Sequence, residues 1–143
     1  MVTTRASTET DASFVNNLTR VVMSEYVEAT WHSAHERERY YQLNVFNQAS
    51  TRIIQYGTVD IGRISVKEFS DHILFDEVHL LPDYQRRGIG TVLLQELLAQ
   101  AKDKQLPVRL MVLRANPARR LYERLGLTVY NEDHERYYMV AAV

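Results

Sequence analysis

Leu80-Leu81-Pro82-Asp83-Tyr84-Gln85-Arg86-Arg87-Gly88-Ile89-Gly90-Thr91 is an apolar strand end that runs through a short basic, glycine-bearing loop into a Leu-rich segment. Pro82 and Asp83 are turn formers that stop the strand. Beyond the loop, Leu94, Leu97, Leu98 and Ala101 fall at i, i+3, i+4 and i+7, the spacing of one helix face. The first N–H groups of a helix have no partner within it and carry partial positive charge, and glycines let an anion approach them. With Arg86 and Arg87 adding charge, the loop is expected to bind a phosphate group.

Two familiar phosphate loops do not fit. A Walker-type loop needs Lys-Ser/Thr after its last glycine, and here Gly90 is followed by Thr91-Val92. A dinucleotide loop needs a third glycine at position 93, which is Leu93, and an acid in the following strand, where Val108-Arg109-Leu110-Met111-Val112-Leu113 has none. Gln85-Arg86-Arg87-Gly88-Ile89-Gly90 instead resembles the Gln/Arg-x-x-Gly-x-Gly/Ala pyrophosphate loop of the Gcn5-related N-acetyltransferases, placed as in that family between a strand end and a long helix.

The resemblance implies an α+β (mixed α/β) fold. Its mostly antiparallel sheet has about seven strands and about four helices, and its parallel fourth and fifth strands splay at a bulge. It also implies acetyl-coenzyme A as co-substrate, held by Leu80, Leu81, Gln85, Arg86, Arg87, Gly88, Ile89, Gly90 and Thr91.

The 143 residues suit a single domain over the whole chain. A net charge of −1 offers no general field for nucleic acid or an anionic membrane, so phosphate preference must be local. The absence of cysteine excludes a disulfide framework, an acyl-cysteine intermediate and thiolate metal sites. Met1 to Thr10 lacks the apolar core of a signal peptide, and no run approaches the ~20 apolar residues of a membrane span. The expectation is a cytoplasmic protein, monomeric or homodimeric.

Read in order, residues 2–6 form a short strand, and Thr8 caps a helix that runs to about Ala29. Its buried face is expected from Phe14, Leu18, Val21, Val22, Met23, Tyr26 and Val27. Ser33-Ala34-His35-Glu36 is a capping box opening a second helix with Tyr40, Leu43, Val45 and Phe46. Residues 51–56, 59–66 and 71–81 read as an antiparallel meander, turned first at Gly57-Thr58. In the third strand the apolar positions pass from Ile73 and Phe75 to Val78 and Leu80, a slip of one that a bulge would explain. After the Leu-rich helix come a strand at 108–113, a short helix capped by Asn116 and Pro117 and closed by Gly126, and a hairpin of 127–130 with 137–140.

Acetyl transfer needs a neutral amine, stabilisation of an oxyanion and a proton for the departing thiolate. The segment from Asn116 to Gly126 is similar to the family's Asn…Tyr-Glu-Lys/Arg-Leu-Gly-Phe segment, with Leu127 in place of the usual Phe and the Asn–Tyr spacing one residue short. The resemblance places Asn116, Ala118, Arg119 and Tyr122 against the coenzyme and makes the Tyr122 phenol the general acid. Glu77 and His79 are the candidate bases, with relay through water as the alternative.

The resemblance, in which the two helices after the first strand wall the acceptor pocket, makes Tyr26, Trp31 and His35 candidate acceptor contacts; plain packing is the alternative. His32 and His35 lack a completing carboxylate, so no metal is expected. The chain is short, near neutral and without an appended recognition domain, which favours a small-molecule amine acceptor. A protein or peptide amine and a non-catalytic coenzyme A-binding module are the alternatives.

Overall fold

A computed structural model describes all 143 residues. Its strands are β1 (Val2–Ala6), β2 (Thr51–Tyr56), β3 (Val59–Glu68), β4 (Ile73–Leu80), β5 (Val108–Leu113), β6 (Thr128–Glu132) and β7 (Arg136–Ala141). The helices are α1 (Ala12–Thr30), α2 (Ala34–Leu43), α3 (Ile89–Asp103) and α4 (Ala118–Arg124). The strands form one mixed sheet in the order β1-β2-β3-β4-β5-β7-β6, so β7 lies between β5 and β6. The chain divides into two compact units, Met1–Ser65 with Glu77–Arg87, and Val66–Asp76 with Gly88–Val143. Both β3 and β4 run from one unit into the other.

In the first unit β1 pairs antiparallel with β2, and β2 with β3. Gly57, at φ 60°, makes the β2–β3 turn. The start of α1 rests on charge. Thr8 N donates to Asp11 Oδ2 at 2.8 Å, and the same carboxylate takes a two-pronged contact from Arg5 at 2.8 and 3.0 Å. A 3-10 turn, Glu9–Asp11, therefore precedes the α-helix, which begins at Ala12.

The buried side of α1 is Val15, Leu18, Thr19, Met23 and Val27. Val21, expected inside, is 58% exposed, while Thr19 is buried because its hydroxyl has work to do there. Helix α2 stops at Leu43, short of the expected Val45 and Phe46. Asn44 closes it, its Nδ2 donating to Tyr40 O at 2.7 Å. Leu43 and Val45 are left exposed.

In the second unit β4 and β5 are parallel, paired at Ile73↔Val108 and Leu74↔Arg109, and the pairing extends no further along β4. Strand β5 pairs antiparallel with β7 over its full length, from Val108↔Ala141 to Leu113↔Arg136. The β6–β7 register shifts between Val129 and Asn131. Strand β4 begins at Ile73, two residues later than expected. Asp71 is occupied in the turn, with its Oδ1 2.7 Å from His72 Nδ1.

The slip in apolar spacing along β4 coincides with a change in what is buried. Ile73 and Phe75 are followed at alternate positions by Glu77 and then buried His79. Polar side chains thus take places that a period of two reserves for apolar ones.

Gly62 sets how closely β3 and the end of β4 approach in the first unit. A Cβ there would lie 2.3 Å from His79 O and 3.2 Å from Leu80 Cα, and neither backbone atom can move aside cheaply. Next to it, Leu81 N donates to Ile61 O at 2.8 Å. Gly62→Ala should therefore force the strands apart and lower stability by about 1–3 kcal/mol, the usual cost of overpacking. Urea unfolding of the two proteins measures this directly, and an unchanged midpoint would contradict the close approach.

Candidate active site

The loop after β4 starts from a 3-10 turn, Pro82–Tyr84, in which Tyr84 N donates to Leu81 O and Gln85 N to Pro82 O. The Gln85 side chain turns back, its Nε2 donating to Leu80 O at 2.9 Å, which ties the loop to the strand it leaves. Arg86 then adopts φ 62° and Gly88 φ 81°, so two left-handed residues bracket Arg87. A side chain at Gly88 would meet no protein atom within 4 Å, so what glycine supplies there is the positive φ.

Gly88 is also the N-cap of α3 and offers no side chain to the first turn. The first turn holds no acidic residue either. Helix-start amides with no capping side chain and no neighbouring carboxylate suit an anion. Arg87 lies over the Tyr84 ring at 5.2 Å, and Tyr84 in turn packs on Tyr56 at 6.0 Å.

A second cluster centres on Arg63, whose side chain is 3% exposed. Its Nε donates to His79 Nδ1 at 3.1 Å, Nη1 to Ser65 Oγ at 2.8 Å, and Nη2 to Thr19 Oγ1 at 3.1 Å and to the Glu77 carboxylate. Ser65 Oγ also lies 3.0 Å from Thr51 Oγ1, and Thr19 Oγ1 donates to Val15 O at 3.0 Å.

Guanidinium is only a donor, so His79 Nδ1 must be an acceptor and the ring's proton sits on Nε2. Burial, with Arg63 beside it, pushes the His79 pKa well below the usual histidine range and keeps the imidazole neutral. Glu77 and His79, two residues apart on β4, are thus brought together by a third residue that the sequence reading did not single out. The signal was present: Arg63 is a lone charge in the otherwise uncharged run Ile61-Gly62-Arg63-Ile64-Ser65-Val66.

In the second unit, Tyr122 lies on α4 with its ring edge-on to Phe75, centroids 6.4 Å apart. The helix closes tightly just after it. Leu127 N donates to Tyr122 O at 3.0 Å, Gly126 N to Glu123 O at 3.1 Å, and Gly126 has φ 96°. This double closure is the Schellman motif, and buried Leu127 anchors it. At the other end Pro117 rather than Asn116 is the N-cap and the helix begins at Ala118, one residue later than expected; Asn116, just outside it, accepts at Oδ1 from Ala118 N at 2.9 Å. Arg119 pairs with Glu123 at 2.9 Å and lies 4.0 Å over the Tyr137 ring, with Arg114 at 4.5 Å from the same ring.

Of the candidate acceptor contacts, Trp31 packs on Tyr40 at 5.3 Å, and its carbonyl accepts from Arg37 Nε at 2.8 Å. His32 and His35 are exposed, and Tyr26 is half-buried. Ser33 Oγ accepts from Glu36 N at 3.1 Å, the expected cap of α2.

Residues 17–127 match the model of the acetyltransferase (GNAT) family. The chain belongs to this family. Solved structures similar to this GNAT chain include the PaiA N-acetyltransferase of Thermoplasma acidophilum in complex with coenzyme A. That match has 19% identity and a TM-score of 0.78, and covers 100% of this chain and 99% of that one. An acetyltransferase of Thermus thermophilus matches at 16% identity and TM-score 0.72, covering 100% and 97%. Naa50 of Arabidopsis thaliana, in complex with the bisubstrate analogue CoA-Ac-MVNAL, matches at 15% identity and TM-score 0.68, covering 99% of both chains. No curated protein matches the chain. At these identities the likeness shows the fold. No helix is long and apolar enough to cross a membrane.

The buried neutral His79 of this GNAT chain makes its stability pH-dependent. Its folded pKa lies below its unfolded value of 6.5, so below that pH the unfolded chain takes up a proton that the folded chain refuses. The contribution is complete above pH 6.5 and is lost as the pH falls towards the folded pKa. The slope is at most about 1.4 kcal/mol per pH unit. Urea unfolding between pH 7.5 and 5.5 should show a shallower decline for His79→Gln than for the parent, and parallel declines would mean that His79 takes up its proton in the folded state.

Proposed function

We propose that residues 1–143 form one N-acetyltransferase domain that moves an acetyl group from acetyl-coenzyme A to the primary amine of a small molecule. The observation that carries the reading is the backbone of residues 85–91. Left-handed Arg86 and Gly88 turn the chain into α3, whose opening amides at Ile89, Gly90 and Thr91 have no capping side chain. Such a turn gathers N–H groups into a concavity suited to a pyrophosphate. The complex of the similar PaiA enzyme with coenzyme A supports this ligand. Leu80 and Leu81 would supply backbone groups to the coenzyme, and Asn116, Ala118 and Arg119 are further candidate contacts of the same ligand.

In the reaction the amine nitrogen attacks the thioester carbonyl, the C–S bond breaks, and the amine gives up one proton. The leaving thiolate takes a proton from the Tyr122 phenol, which recovers it from water. A phenol of pKa about 10 is protonated at neutral pH and can serve as this acid. Its edge-on packing against Phe75 supports the assignment, because that contact orients the ring.

A second reading, in which the acceptor is a peptide N-terminus, is favoured by one comparison: the analogue bound to the similar Naa50 joins coenzyme A to the sequence MVNAL. A thiol-release assay with acetyl-coenzyme A, run against small primary amines and against short peptides, decides between them. Turnover with neither group would overturn the proposal.

Two variants test the residue roles. Tyr122→Phe should lower kcat by about 10²–10⁴-fold with little change in KM for acetyl-coenzyme A, as expected on losing a positioned acid. An unchanged kcat would assign the proton to another group or to water. Gly88→Val puts a β-branched side chain at φ 81°, a conformation it strongly disfavours, so the turn should distort and coenzyme A affinity by calorimetry should fall. Equal affinity would remove the loop from the binding site.

A further inference from the structure

The first unit contains a buried charge cluster whose members differ in what they can do. Arg63 donates to four side chains, on α1, β3 and β4, and every one of these acceptors is fixed in turn by its own strand or helix. Glu77, whose side chain is 13% exposed, is its anionic partner. His79 contributes a lone pair but no charge. The remaining ion pairs of this unit are Arg5 with Asp11 and Asp60, and Arg20 with Glu38, the latter half-exposed at the surface. Protonating Glu77 would therefore leave a buried guanidinium without its counter-charge, which is strongly unfavourable. Protonating His79 would set an imidazolium against the same guanidinium, and its Nδ1 lone pair is already engaged.

We propose that Arg63 is a positioning residue of the acetyl-transfer site: it clamps Glu77 and His79 and withdraws both from proton transfer, so that the acceptor attacks as a free amine whose proton passes to water. The proposal rests on the acetyl-transfer reading and takes it one step further, to the form in which the acceptor is used. An ordinary carboxyl and an ordinary alkylammonium differ by about six pKa units, so a carboxylate draws a proton from an ammonium only at great cost even when unclamped. The clamp adds to that cost. What it supplies instead is a fixed end to β4, since Arg63 holds His79 and Glu77 directly before Leu80 and Leu81.

Two measurements test this, and they fail independently. The first uses ¹⁵N NMR of the histidine rings and needs no substrate. The His79 signal should show an unprotonated Nδ1 and a protonated Nε2, unchanged from pH 8 to pH 5.5, and should lose this tautomer preference in Arg63→Met/Glu77→Leu. Paired hydrophobic replacement removes both charges at once, which buried ion pairs often tolerate without unfolding. A His79 ring that titrates near its ordinary pKa, or carries its proton on Nδ1, overturns the clamp.

The second is the kcat/KM profile against pH, recorded with n-propylamine and glycinamide, two primary amines of different ammonium pKa. In the parent protein its acidic limb should move with the amine. A limb common to both amines, or one that vanishes in the double variant with a loss of 10²-fold or more, assigns the base to Glu77 and overturns the proposal. If neither amine nor any peptide is acetylated by the parent protein, acetyl transfer itself fails as a reading, and the NMR result still stands on its own.

Discussion

The guanidinium of Arg63 is the most expensive group in this protein to bury, and the first unit is arranged to make it tolerable. Taking a charge out of water costs several kcal/mol unless a counter-charge and a full set of acceptors replace the lost solvent. Glu77 supplies the charge, and Thr19, Ser65 and His79 supply the remaining lone pairs. These come from one helix and two strands, so satisfying Arg63 requires α1, β3 and β4 to be in register together. A hydrophobic contact tolerates sliding. A guanidinium with four directed donations does not, and the same demand explains why Thr19 lies on the buried side of α1, among the apolar residues expected there.

This constraint and Gly62 act on neighbouring residues of one strand. Gly62 removes the side chain that would keep β3 away from the backbone of His79 and Leu80, and Arg63 then reaches the side chains of Glu77 and His79. Close backbone approach and directional side-chain bonding reinforce each other along the last four residues of β4. Those residues lead into the loop in which Gln85 returns a hydrogen bond to Leu80 O.

Strand and helix positions were largely legible because they follow from period and punctuation. The bounds of β1, β2 and β5 coincide with the segments read as strands, and Gly126 marked the end of α4 by its need for positive φ. The failures come from polar groups whose hydrogen bonds an apolar period does not record, some of them satisfied across long sequence distance. Thr19 faces inward for a residue 44 positions away. Asn44 ends α2 ahead of two apolar residues whose spacing alone would have continued it. Along β4 the sequence spacing records only which residues are apolar, so it did not reveal that His79 is buried and the Glu77 side chain nearly so. The loop at 85–90 was readable for the opposite reason, since its chemistry resides in backbone geometry that glycine announces locally.

The end of α4 shows which feature of a position is indispensable. Seven residues are too few to hold a helix together in water, so this one is defined by its two ends and by what they bury. At the C-terminal end the work is divided: Gly126 provides a backbone conformation, and Leu127 provides a buried apolar weight that locks the main-chain bond to the Tyr122 carbonyl. Nothing in that division calls for an aromatic ring. The Leu at this place, where the motif it resembles has Phe, meets that requirement. A position can be fixed in role while remaining free in chemistry, and tolerance at 127 is the counterpart of intolerance at 126.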